Sequence, residues 1–442
     1  MACKFTKLLP ALLSVLLFTV SCAPQPGATF PAESSSSDTA QVDSTNELSF
    51  RITWKEYSGR GEAIQKIVDS YAQANPGTSV TVVGGDEDSD TIEKLLIEQP
   101  DTVYVLPYRF VQFFGSKSLL RDLGDDFPEA EDIFFESIWN LGIVDDHTYG
   151  IPWLGHSMCL LYNKSLLSDA GVDPATILST DSFLDALKQV EANTDASGIG
   201  LVGAESNDLS WMVNQFIYGF GSALVNVEGN KVAVNNNRSA DAISYYRDQL
   251  GTYAQPTWIE DTGTEVMTAF REGKVAFEIQ GIWGVTDIEK NGAPFEVGIL
   301  SMNDIGMKSE VGPMMVVIPE AMSQELVPEA VHFMKYLISI DAQKQIMTGE
   351  YSPEHDAYYP FRTPIRQDMS SDEIFLTNPD YVKFIEGFAF PSIDVPVPAW
   401  QTIKDEIYQP GLHLVMTGEM GIEEFLERVE NEGNLILQKT DS

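Results

Sequence analysis

Six aromatic residues fall where a strand-like pattern gives way to a loop or helix: Tyr57, Tyr108, Trp153, Trp211, Trp283 and Trp400. A ring in such a place offers an apolar face. The ligand that matches it well is a pyranose, whose C–H face stacks on aromatic rings while its hydroxyls seek planar donors and acceptors around the rim. Glu56, Arg60, Asp86, Asn214 and Glu278 are candidates for those rim contacts, solvated loop charge being the alternative for each. Trp258, two residues after Pro256, fits either a cleft or a core. Aromatic boxes also suit cations, so a cationic solute such as a polyamine stays open as a second ligand class.

Other constellations fail on spacing. Asp86-Glu87-Asp88-Ser89-Asp90 has the alternating carboxylates of a calcium loop, but such a loop needs Gly at its sixth position and Glu at its twelfth, where this chain has Thr91 and Ile97. The run reads instead as acids at a helix N-terminus, favoured there by the dipole. His147, His156, His332, His355 and His413 are scattered without ligand spacing, so neither metal nor cofactor is expected. Neither a phosphate-cradling glycine loop nor a G-x-S-x-G elbow is found. Cys159, in Met158-Cys159-Leu160-Leu161, reads as a small buried hydrophobe rather than a nucleophile. A secreted glycosidase remains the enzyme alternative, because an acidic chain always contains carboxylate pairs and sequence does not give their separation. An extracellular scaffold or adhesion protein is a third class.

Composition and the N-terminus set the compartment. With 66 acidic against 27 basic residues the net charge is -39, a field that repels polyphosphate and argues against nucleic acid as a partner. Lys4 and Lys7 precede an apolar run from Leu8 to Val20 ending at Ser21-Cys22. As a helix that run reaches about 20 Å, short of the ~30 Å hydrocarbon core, so residues 1–21 read as a cleaved export signal. The small residues before Cys22 resemble the lipobox of bacterial lipoproteins, with Thr19 where Leu is usual. Lipidation at Cys22 would anchor the chain on the extracytoplasmic face of the cell membrane. Only Cys159 would then remain, and no internal disulfide could form. Residues 22–47, rich in Pro and Ser, read as a disordered tether.

From Leu48 onward the pattern alternates. Leu48 to Trp54 has the period of a strand, Glu62 to Ala74 carries Ile64, Ile67, Val68 and Tyr71 at helical spacing, and Asn75-Pro76-Gly77 stops the helix before Ser79 to Val83. A short helix from Asp90 to Glu98 and the apolar strand Thr102 to Leu106 repeat the unit. Such alternation predicts a parallel sheet with ligands at the carboxyl ends of its strands. Farther on, Thr180 or Asp181 is expected to cap a helix over Ser182 to Glu191.

The order of motifs resembles the family 1 extracellular solute-binding proteins of bacterial ABC importers, distant relatives of maltose-binding protein. The resemblance rests on Trp54, Tyr104-Val105-Leu106-Pro107, Leu119-Leu120-Arg121-Asp122-Leu123, Tyr149-Gly150-Ile151-Pro152 and Leu161-Tyr162-Asn163-Lys164. It continues through Phe270-Arg271-Glu272-Gly273-Lys274-Val275-Ala276-Phe277, Gly281-Ile282-Trp283 and Pro398-Ala399-Trp400. It implies an α/β two-lobe, periplasmic-binding-protein-like (type II) fold with hinge crossovers. The expected lobes are 48–155 plus 314–338 and 156–313 plus 339–437. It places Tyr108, Trp211, Trp283 and Trp400 in the cleft. The implied function is capture of a carbohydrate by hinge closure, as a monomer without cofactor, and delivery to ABC permease subunits.

Overall fold

In a computed structural model, residues 46–53, 61–85, 88–128, 130–375, 378–393 and 397–440 are described. The export signal, most of the tether, Cys22, Glu56, Tyr57, Arg60 and Asp86 lie outside them.

The alternating pattern forms the expected opening. Strands Asn46–Ile52, Thr78–Gly84 and Thr102–Pro107 run parallel, with helices Gly61–Ala74 and Ser89–Glu98 as their crossovers. Ile64, Ile67, Val68 and Tyr71 form the buried stripe of the first helix. Asp88 caps the second, accepting from the Thr91 amide at 2.8 Å, so this part of the acidic run serves a helix N-terminus. Among the described residues no cluster of His, Cys, Asp or Glu could hold a metal ion.

The full sheet is mixed rather than parallel. Its six strands lie in the order 363–364, 151–155, 314–317, 102–107, 46–52, 78–84. Strand Met314–Val317 is antiparallel to both neighbours. Phe50, Trp153 and Phe333 meet edge to face at the centre of this core, with centroids 5.3 and 5.1 Å from Phe50. A second, four-stranded sheet has the order 297–301, 159–163, 275–280, 197–200. It packs around Phe183, Phe216, Tyr246, Phe277, Trp400 and Tyr408. The helix Thr180–Asn193 on this sheet is capped by Ser179, whose hydroxyl accepts from Ser182 and forms a reciprocal box with it, one residue earlier than expected.

Two short antiparallel stretches connect the bodies. The amide of Met158 donates to the Glu310 carbonyl at 2.9 Å, and that of Gly312 to the His156 carbonyl at 3.0 Å. Ser309–Glu310 also pairs in parallel with Pro391–Ser392. The chain then returns to the first body: Ala342, Ile346, Phe361 and Ile365 belong to the first core, and Thr363–Pro364 extends the first sheet. Residues 340–365, assigned from sequence to the second lobe, therefore pack largely with the first. The helix over Ile340–Thr348 lies against Gly61–Ala74, which draws them there.

Candidate functional site

The carboxyl ends of strands 46–52, 102–107 and 275–280 open into one cleft of about 770 Å³. From the first body come Thr53, Tyr108, Arg109 and Phe110. The Thr53 hydroxyl is held by the Val105 carbonyl, and a helix begins at Tyr108 directly behind Pro107. The second body supplies Asp208, Trp211 and Met212 from helix Asn207–Gly219, Thr264 and Met267 from helix Gly263–Arg271, and Gln280 and Trp283. His156 and Glu310 enter from the two connecting stretches, and Arg362 from the returning chain.

The polar groups at the centre hold one another. His156 Nε2 and Glu310 Oε2 are 2.9 Å apart and nearly buried. The His156 ring stands perpendicular to Trp283, centroids 5.0 Å apart, and lies 6.3 Å from Trp211. The Arg362 guanidinium covers the Trp283 ring at 5.0 Å while its Nη1 donates to the Phe361 carbonyl at 2.9 Å. Behind Trp211, the Lys404 ammonium lies 5.6 Å from that ring's centroid. Two glycines make room for these rings. A Cβ on Gly281 would come within 2.2 Å of the Trp283 ring, and one on Gly312 within 2.0 Å of His156.

Of the residues singled out from sequence, Tyr108, Trp211 and Trp283 line this cleft. Others go elsewhere. The pattern places Trp153 behind a strand, yet Ile151–Gly155 is itself a strand buried at every position, and the indole is sealed against Phe50. Trp400, 2 % exposed, turns into the second core 5.8 Å from Tyr408. Trp258 also packs inward, against Tyr246. Asn214 is buried, its side-chain oxygen accepting from the Tyr408 hydroxyl at 2.6 Å.

Glu278 lies on the same strand face as Gln280 but two residues, about 7 Å, deeper. It is fully buried, and neither carboxyl oxygen has a hydrogen-bond partner among the described residues. Burial, reinforced by Asp287 and opposed by Arg271, pushes its carboxyl up to about 8. Arg271 and Asp287 are paired with each other above it. Glu278 is thus a neutral acid at neutral pH, set behind the cleft wall. Burial likewise raises the Cys159 thiol, which keeps it protonated and unreactive.

Sequence reasoning missed His156, Glu310, Arg362, Phe110 and Gln280. His156 and Glu310 are 154 residues apart, and only the pairing of the two connecting stretches brings them together. Gln280 had a usable signal, as the last residue of an apolar strand.

A family model described as bacterial extracellular solute-binding protein matches residues 66–374. A maltooligosaccharide ABC transporter solute-binding lipoprotein of Streptococcus pneumoniae is 23% identical over 418 residues, 92% of each chain. Among solved structures, the GacH receptor of Streptomyces glaucescens, solved unliganded and with acarbose, superposes with a TM-score of 0.73 at 20% identity. Maltose-bound MalE3 of T. maritima gives 0.74 at 18%. Both superpositions cover 89% of this chain and 99% of the other, and they establish the α/β periplasmic-binding-protein fold.

Proposed function

This chain belongs to the bacterial extracellular solute-binding proteins, the non-enzymatic capture components of ABC transporters, and from that premise we propose that its solute is a carbohydrate, probed best as an oligosaccharide. The observation that carries the reading is the facing of Trp211 and Trp283 on one body by Tyr108 and Phe110 on the other across a cleft of about 770 Å³. Aromatic faces with a few fixed polar groups are what a saccharide needs for stacking and for its hydroxyls. The names of the relatives, which include binders of maltooligosaccharide and diacetylchitobiose, support the same class.

The mechanism follows from how contacts are divided. A solute touching both bodies gains all its contacts only when they approach, so binding shifts the population toward a closed form. Residues 155–158 and 309–313 are the segments about which the two lobes would turn. The closed protein, a monomer held to the extracytoplasmic membrane face by lipid on Cys22, would present the solute to permease subunits. Closure draws on ground-state contacts alone, so the solute is returned intact.

A thermal-shift panel of saccharides tests the reading. Ligand at about 100 times its Kd adds ~2.7 kcal/mol of stability. The best stabiliser should also shrink the protein in solution scattering and be recovered unaltered. Turnover proportional to protein concentration, or stabilisation by no saccharide, would overturn the proposal.

A further inference from the structure

Helix Asn207–Gly219 carries Trp211 and Met212 to the cleft wall and lies against the crossing strand Ser309–Glu310. Gln215, wholly buried, stands one turn behind Trp211 on the same helix face. Its side-chain oxygen accepts from the Glu310 amide at 3.2 Å and its backbone carbonyl from the Lys308 amide at 3.3 Å, while its Nε2 lies 3.7 Å from the Met212 sulfur. At the helix end the two backbones come closer still, for a Cβ on Gly219 would lie 2.9 Å from the Met307 Cα. Residues 307–310 are thus attached to the second body. The opposite crossing is attached there as well: Ser309 donates its hydroxyl to the Met158 carbonyl at 2.7 Å, and Ser157 donates its own to Phe384, which packs with the second sheet. The first body holds the other ends. Gly155 pairs with Thr363, Met314 pairs with Leu154 and Pro107, and Val311 packs in the first core. In these two crossings the change from one body to the other therefore falls at His156 and directly after Glu310.

We infer that Gln215 is a positioning residue that sets where the hinge bends: it fastens the Trp211 helix to the crossing at 308–310, so that both move as one piece and the turn falls at His156 and the Glu310–Val311 junction. The inference uses the proposed solute site only in treating Trp211 as part of it. A backbone amide this deeply buried needs an acceptor, and the Gln215 side chain provides it. Without that acceptor the crossing is free to part from the helix, which adds a second bending point between Trp211 and the first body. An indole mounted on two bending points samples several orientations, and closure has to freeze them out at an entropic cost. With one bending point the indole meets the other wall of the cleft in one geometry.

The test is made on the exported chain without solute, so it decides the role of Gln215 whatever the cleft binds. Amide hydrogen exchange is read at single residues. In the wild type the Lys308 and Glu310 amides should exchange within about tenfold of those of Phe216 and Ile217, as parts of one cooperative unit; faster exchange than that overturns the inference. Gln215→Met keeps the length of the side chain and removes the acceptor. It should speed the Glu310 amide about tenfold relative to the helix amides. It should also widen the distribution of distances between spin labels at Ile97→Cys on the first body and Leu178→Cys on the second, both exposed sites, in a Cys22→Ser background where buried Cys159 takes no label. A role in packing alone would speed all the second-body amides together and leave the distribution as narrow as in the wild type, and either result overturns the positioning role. The wild-type exchange rates stand by themselves if the variant does not fold.

Discussion

Glu278→Gln should make this protein more stable at neutral and alkaline pH, and the size of the gain follows from the buried carboxyl. An unfolded Glu titrates near 4.3, whereas the native group is pushed up to about 8 by burial. Below about pH 4 both states hold the proton and the residue costs nothing. Between there and pH 8 the unfolded chain releases its proton while the native one keeps it, so the unfolded state binds fewer protons and stability falls as pH rises. Each pH unit is worth ~1.4 kcal/mol per proton, which accumulates to about 4 kcal/mol by pH 7. Gln is nearly isosteric with the neutral acid and does not titrate. The variant should match the wild type near pH 4.5 and exceed it by about 4 kcal/mol at pH 7. With an unfolding entropy of ~2 cal/mol/K per residue over roughly 400 residues, that is about 5 °C in Tm. Scanning calorimetry of both proteins from pH 4.5 to 8.5 measures it. Parallel profiles, or a variant less stable at pH 8, would refute the picture of a carboxyl kept neutral by burial.

Further outcomes follow from the placement of the aromatics. Trp211→Ala and Trp283→Ala should each weaken saccharide binding by more than ~1 kcal/mol in titrations, with modest loss of Tm. Trp153→Ala and Trp400→Ala should instead cost ~3–5 kcal/mol of stability, read from denaturant unfolding. Gly281→Ala should push the Trp283 indole from its seat and raise the Kd severalfold, visible also as a shift in tryptophan emission. Metabolic labelling with a lipid precursor should mark the wild type and not Cys22→Ser; labelling of both, or of neither, removes the anchor.

The alternation of strands and helices is legible in the sequence because period two and period 3.6 are local properties, and so are the strand ends behind which Tyr108 and Trp283 sit; Trp211 instead lies inside the helix Asn207–Gly219. What is not legible is which way a ring turns once the second layer arrives. Phe50, about a hundred residues away, seals Trp153 inward, and Trp400 turns into the second core against Tyr408, two helical turns on, a choice that the local pattern does not mark. Glu278 and Gln280 differ by one strand repeat, enough to separate a buried acid from a cleft wall. His156, Glu310 and Arg362 come together only through the crossing segments, and no local pattern marks a crossing. The cap at Ser179 rather than at Thr180 or Asp181 is a smaller error of the same kind, since three neighbours could serve and geometry chose one.

The place of Met314–Val317 in the middle of the first sheet governs the order in which the molecule can be made. Leu106 pairs with Met315, roughly 200 residues later, so a nascent chain that ends anywhere before residue 314 has a gap at the centre of that sheet and strand edges facing it. Closing so large a loop is entropically expensive and slow compared with local helix formation. Synthesis therefore leaves the first core unsealed until most of the polypeptide exists. For a chain that must thread an export channel before it folds, late closure preserves an extended, threadable state. The same delay leaves apolar segments uncovered for longer, so chaperone holding, or rapid coupling of synthesis to export, becomes part of what this topology requires.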